Sequence, residues 1–121
     1  MAISISDLIA KKEQVEAGKK ALYDIDTSIG VITTRKPTQA IVAEALDLED
    51  GGDEYLILNL TVEPDLKDTQ LQKAYGCIEP TDIISKLFDP GEIRAIGQAI
   101  LKTAGFKQDG LKVKLHETVK N

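Results

Sequence analysis

Apolar positions along the chain fall into short, well-punctuated groups, and their spacing predicts helices on either side of a β-hairpin. Ile5, Leu8, Ile9 and Val15 share one helical face. Ser4 can cap this helix with Asp7 as its box partner three residues on, and Ile3 can staple onto Leu8. Gly18 is placed to end it, and Lys11, Lys12, Lys19 and Lys20 occupy its second half, where cations suit the negative end of the dipole. Residues 21–34 then read as a hairpin. Leu22, Tyr23, Ile25, Ile29, Val31, Ile32, Thr33 and Thr34 are strand formers, and Asp26-Thr27-Ser28 supplies the turn. Lys36-Pro37 closes that unit, and Ile41, Val42, Ala45, Leu46 and Leu48 give a second helix over residues 38–48 its apolar stripe.

Residues 55–62 fit two readings. Leu56, Leu58, Leu60 and Val62 alternate as in a strand, while a short buried helix fits nearly as well. After Pro64 the pattern is helical. Thr69 with Gln72 suggests a capping box, Leu71, Ala74 and Tyr75 are expected to point inward, and Gly76 to terminate. Pro80 suits the first turn of the next helix, whose Ile83, Ile84, Leu87 and Phe88 form one face. Asp89-Pro90-Gly91-Glu92 reads as cap, first-turn proline and box partner of a last helix carrying Ile93, Ile96, Ile100 and Leu101. Gly105 should stop that helix, leaving Phe106 to make the apolar contact of a Schellman motif onto Leu101. The fold class is α+β, mostly α-helical: an N-terminal helix and β-hairpin, a compact helical unit and a flexible C-terminal tail. Residues 1–106 are expected to form one domain. Residues 107–121 are expected to be the tail, in which Leu111, Val113 and Leu115 alternate with Lys112, Lys114 and His116.

A length of 121 residues fits one domain, large enough to bury roughly two-thirds of its unfolded surface without disulfide or metal. Aromatic residues make up only 4% and Trp is absent, so the core must be aliphatic. Apolar runs such as residues 55–58 fall far below the roughly 18 residues of a membrane span. No secretory signal is visible at the N-terminus. The single cysteine, Cys77, excludes an internal disulfide and fits a reducing cytoplasm. The net charge of −5 argues against electrostatic capture of nucleic acid. That charge is an average. Residues 47–68 hold eight acids against one base, a balance of −7, around a Gly51-Gly52 loop; residues 102–121 carry five lysines against two acids, a balance of +3.

One histidine and one cysteine leave little raw material for catalysis. His116 has no rigid nucleophile in prospect, and a solvated tail residue explains it. Cys77 follows Gly76 at a helix exit, where a small apolar contact back to Leu71 is expected, and no second histidine exists to activate it. The order Asp47, Asp50, Gly51, Asp53 does not match the alternating ligands and sixth-position glycine of an EF-hand, so a solvated acidic loop is expected. Glu63 and Asp65 around Pro64 are explained by a helix stop and a solvated turn. No phosphate-binding glycine loop, nucleophile elbow or zinc spacing occurs, and no catalytic, cofactor-binding or metal residue is expected. What remains is surface. Ile83, Ile84, Leu87, Phe88, Ile93, Ile96 and Ile100 are the candidates for a partly exposed groove that takes a partner helix, against the simpler reading that they are core.

From Leu60 to Phe106 the order of motifs becomes recognisable. Thr61-Val62-Glu63-Pro64-Asp65-Leu66-Lys67-Asp68, then Leu71-Gln72-Lys73-Ala74-Tyr75-Gly76, then Pro80, then Asp89-Pro90-Gly91-Glu92-Ile93 resembles the XkdN-like tail assembly chaperones. These belong to siphophages, myophages and prophages of Gram-positive bacteria. The shared pattern is a short helix ending in Val-Glu-Pro (Glu63, Pro64), an acidic Leu-x-Asp turn, a Tyr-Gly helix exit (Tyr75, Gly76), and Pro-Gly-Glu-Ile opening the last main helix (Pro90, Gly91, Glu92). The hairpin with its Lys-Pro exit is similar as well, so the likeness spans roughly residues 4–106. The Gly51-Gly52 loop is looser than the family's usual connection, and the tail after Phe106 matches nothing recognisable. The resemblance tilts residues 55–62 towards helix.

The resemblance implies a non-enzymatic protein, without cofactors, in the host bacterial cytoplasm. Such a protein binds the long helical tape measure protein, keeps it soluble, helps recruit tail tube protein subunits, and is absent from the finished virion. Many members have a short and a frameshift-extended form, and this chain would be the short one. A coating role leaves room for self-association, and neither nucleic acid nor membrane is an expected partner. Two other readings compete: a structural tail or head-to-tail connector protein retained in the virion, and a small enzyme using Cys77 or His116.

Overall fold

The computed structural model describes residues 2–106. Along them run α1 (Ile5–Ala10), α2 (Lys12–Lys19), β1 (Leu22–Thr27), β2 (Gly30–Arg35), α3 (Gln39–Asp47), α4 (Gly52–Leu60), β3 (Thr61–Glu63), α5 (Thr69–Ala74), α6 (Asp82–Leu87) and α7 (Pro90–Thr103). The α+β, mostly helical class holds. The tail expected from residue 107, with His116, lies outside the described residues.

The ambiguous stretch is a helix followed by a strand. Leu56, Ile57, Leu58 and Leu60 are all buried, so α4 is apolar on most of its circumference. A helix of that kind survives only when enclosed. Here α3, α6 and α7 pack around it, and the sheet closes the remaining side. Two glycines set how closely. A Cβ on Gly52 would stand 2.9 Å from the Ala45 carbonyl oxygen, and one on Gly97 would stand 2.4 Å from Asp53 Oδ1. The half-buried Asp53 carboxyl is pushed above the usual range by burial, with Arg94 pulling the other way.

Of the strand alternative for residues 55–62, only Thr61 and Val62 are extended, and with Glu63 they make β3. It pairs antiparallel with β2 through Thr33↔Glu63 and Thr34↔Thr61, across a register shift between Thr33 and Thr34. The sheet order is β1-β2-β3. The hairpin turn is Ser28-Ile29, shorter than the expected Asp26-Thr27-Ser28, because Thr27 still pairs with Gly30.

Several caps differ from expectation. The N-terminal helix forms with Ser4 Oγ accepting from the Asp7 N–H at 3.1 Å, but it breaks at Lys11, and Gly18 lies inside α2 instead of ending it. Leu46 and Leu48 stay exposed, while Val42 and Ala45 carry the burial of α3. The cap of α5 is Asp68, whose Oδ1 accepts from the Leu71 N–H at 3.0 Å, so Thr69 is already helical. That helix is short and turns only its Leu71 side to the core, leaving Ala74 and Tyr75 exposed. Pro80 lies in the turn before α6, outside its first turn. Asp89 and Pro90 do open α7, and Gly105 (φ +92°) ends it with both Schellman bonds, Gly105 N–H to Lys102 O and Phe106 N–H to Leu101 O. Phe106 packs against the core.

Candidate partner-binding surface

The seven apolar side chains expected to form a groove are used in packing. Ile83, Ile84, Phe88, Ile93, Ile96 and Ile100 are buried and Leu87 is half-buried against them, so the face they make is turned onto α4. Exposed aliphatic surface lies elsewhere: on α1 and α2, on the outer side of the hairpin at Leu22 and Val31, and at Ile78.

Ile78 is 94% exposed, at the edge of an open basin of about 650 Å³ between α4, α5 and the turn before α6. Tyr55 and Leu58 supply one wall, Cys77 and Pro80 the other, and Lys67 and Lys73 stand at the rim. The basin is held in shape by side-chain to backbone bonds. Gln72 Nε2 donates to the Leu66 carbonyl at 2.8 Å and to the Pro80 carbonyl at 3.0 Å, tying two loops to α5. Asp82 Oδ2 accepts from the backbone N–H of Ile78 and of Glu79, both at 3.0 Å, which fixes the loop that presents Ile78. Those two bonds, Glu79 first, hold the Asp82 carboxyl below the ordinary carboxylate range. On the opposite wall Lys67 Nζ donates to Asn59 Oδ1 at 2.9 Å, and Asn59 Nδ2 donates back to the Tyr55 carbonyl at 2.8 Å. The Tyr55 hydroxyl donates to Glu44 Oε2, which raises its pKa above the usual phenol value.

Cys77 is a half-buried free thiol lining the basin, with neither a carboxylate nor an imidazole among its described bonding partners. Among the described residues no group of three or more His, Cys, Asp or Glu side chains gathers to hold a metal ion, and no helix is long and apolar enough to cross a membrane.

The sequence profile of the phage XkdN-like tail assembly chaperone proteins matches residues 31–120, most of the chain. The chain belongs to that family. Comparison with curated proteins finds no match, and neither does comparison with solved structures. The match differs in extent from the likeness read off the motifs: it starts inside the hairpin instead of at residue 4, and runs through the tail, where the motifs offered nothing.

The motif residues of this tail assembly chaperone have separate structural duties. Glu63 ends β3, and Pro64 follows it through a cis peptide bond. Gly76, in the left-handed region at φ +67°, lets the chain leave α5 with Cys77 N–H bonded back to Gln72 O, so Tyr75-Gly76 aims Cys77 and Ile78 at the basin. Pro90 and Gly91 occupy the first turn of α7. Glu92, expected to complete a capping box, reaches across the molecule instead. Its carboxylate accepts from the Ser28 backbone N–H at 2.7 Å and from the Ser28 hydroxyl at 2.6 Å, fastening the hairpin turn to α7. Sequence reasoning gave Gln72 a capping role in place of its ties to Leu66 and Pro80, and singled out neither Ile78 nor Asp82. Ile78 alone of the three leaves a signal, as a bare aliphatic residue in a short loop between two helices.

Proposed function

We propose that this tail assembly chaperone binds the tape measure protein, keeps it soluble in the host bacterial cytoplasm, helps recruit tail tube subunits, and leaves before the virion is complete. It acts by covering surface and catalyses no reaction. The observation that carries this reading is the basin. A concavity that sets Tyr55, Leu58, Cys77 and Pro80 among the polar Asn59, Thr69, Gln72 and Thr81, with the exposed Ile78 at its edge and Lys67 and Lys73 in its lining, accepts an amphipathic client helix whose flank is acidic. The rest of the body carries strong negative charge, which keeps a chaperone–client complex soluble. The buried residues Ile83, Ile84, Phe88, Ile93, Ile96 and Ile100 belong to the core, with Leu87 packed against it, and on this reading they serve the fold and leave client contact to the basin.

Co-expression with the tape measure protein tests this. The wild-type chain should raise the soluble fraction of the client, and Ile78→Asp, which removes no packing, should lose most of that effect. A tape measure protein equally insoluble with and without the chaperone would end the reading.

A further inference from the structure

A second apolar surface stands apart from the basin, on the arm made by α1 and α2. We propose that this arm docks on a second copy of the chain, its apolar face lying in that copy's groove between α3 and the C-terminal end of α7. The proposal involves no tail protein and holds or fails independently of the client reading.

Neither α1 nor α2 buries a residue. Ile5 is 78% and Ile9 70% exposed, and Leu8 and Val15 lie beside them on the same face. Helices of this length are marginal by themselves and draw their stability from packing on an apolar face. A contiguous aliphatic strip of this kind marks an interaction surface.

Charge decides what covers it. Residues 2–20 carry four lysines against three acids, a balance of +1, while residues 21–121 carry eleven Lys and Arg against seventeen acids, a balance of −6. Pairing arm to arm brings together surfaces of like sign. An anionic lipid surface would attract one net charge and repel six, and the strip lacks the Trp and Phe typical of interfacial helices. On a second copy the opposite sign is supplied by Asp47, Glu49 and Asp50 beyond the end of α3, while the groove lining itself carries Lys19 and Lys36.

The groove has the matching shape and setting. It encloses about 690 Å³ above Val42, Ala43, Leu46 and Phe106. Its α3 wall runs directly into Asp47, Glu49 and Asp50, where Lys11 and Lys12 of an incoming arm find partners. Each arm is rooted at the edge of its own groove, because Lys36 Nζ donates to the Gly18 carbonyl at 2.8 Å and both Lys19 and Lys36 line the rim. The bonds Lys20 N–H to Ala17 O and Ala21 N–H to Gly18 O close the turn at that root. Two copies can therefore exchange arms reciprocally, each giving one and receiving one, which closes as a two-fold dimer.

Sedimentation velocity of the full chain over a range of concentrations tests this, with Ile5→Glu/Ile9→Glu on the arm and Leu46→Glu on the groove. All three positions are exposed, so the fold is spared, and circular dichroism checks that. A photo-crosslinker at position 9 of a tagged chain, mixed with untagged chain, reports the contact. The expected result is a concentration-dependent dimer, weakened at least about tenfold by either variant because a charge is forced into an apolar contact. Cross-links should run from position 9 to residues 37–46 of the other copy. A monomer at every concentration, association indifferent to both variants, or cross-links from position 9 to position 9 would overturn it. Monomers that cosediment with phosphatidylglycerol vesicles, and cease to with Ile5→Glu/Ile9→Glu, would also overturn it and assign the arm to lipid.

Discussion

The arm and α4 are made of the same kinds of aliphatic residue and have opposite fates. Leu56, Ile57, Leu58 and Leu60 of α4 are buried, whereas α1 and α2 bury nothing. The angular spread of apolar positions accounts for the difference. Around α4 they face almost every direction, so neighbours are required on all sides, and α3, α6, α7 and the sheet provide them. On the arm they form one stripe, which needs a single wall, and the described chain provides none. Hydrophobicity in a small helical protein thus has two uses, and the missing wall distinguishes surface kept for a partner from core.

The comparison can be broken at its strongest point first. Ile57→Ala should cost about 2–5 kcal/mol in a urea melt, as for other fully buried aliphatic truncations, while Ile9→Ala should change stability by no more than about 0.5 kcal/mol. Equal effects would dissolve the distinction between core and arm. Next comes the spacing around α4. Gly52→Ala forces a methyl group onto the Ala45 backbone carbonyl and should destabilise by about 1–3 kcal/mol, whereas Gly97→Ala meets the end of the Asp53 side chain and gains helix propensity, so its change in the same melt should be smaller.

Smaller effects belong to the ties. Glu92→Ala should release the hairpin turn from α7 at a cost of about 1 kcal/mol, seen as faster amide exchange at Ser28. The loop that presents Ile78 should depend on pH. Because the folded Asp82 carboxyl titrates below its ordinary range, its stabilising bonds are complete above that range and are lost as pH falls through the lowered value. Amide exchange at Ile78 and Glu79 should accelerate there relative to the rest of the basin, and Asp82→Asn should remove the pH dependence.

Punctuation made much of this fold legible. Ser4, Pro90, Gly76 and Gly105 each act on local backbone geometry, and each helix end they mark is found where the chain requires it or within a few residues. Long-range choices were less visible. Period-two alternation at residues 56–62 was outweighed by enclosure, and β3 is three residues long, too short to leave a pattern of its own. Glu92 satisfied the local rule for a capping box, yet its carboxylate went to a turn 64 residues earlier in the chain. The surface was the least legible part. The helix faces richest in isoleucine became core, and the basin depends on Gln72 and Asp82, polar residues whose bonds to distant backbone no local pattern encodes.

Hydrogen exchange on the chaperone, with and without a soluble segment of the tape measure protein, tests the central claim most directly. Binding in the basin predicts slowed exchange at Lys67–Lys73 and Cys77–Thr81, with α4 already protected in both states. Unchanged exchange in those two segments, or protection confined to other parts of the body, would contradict it.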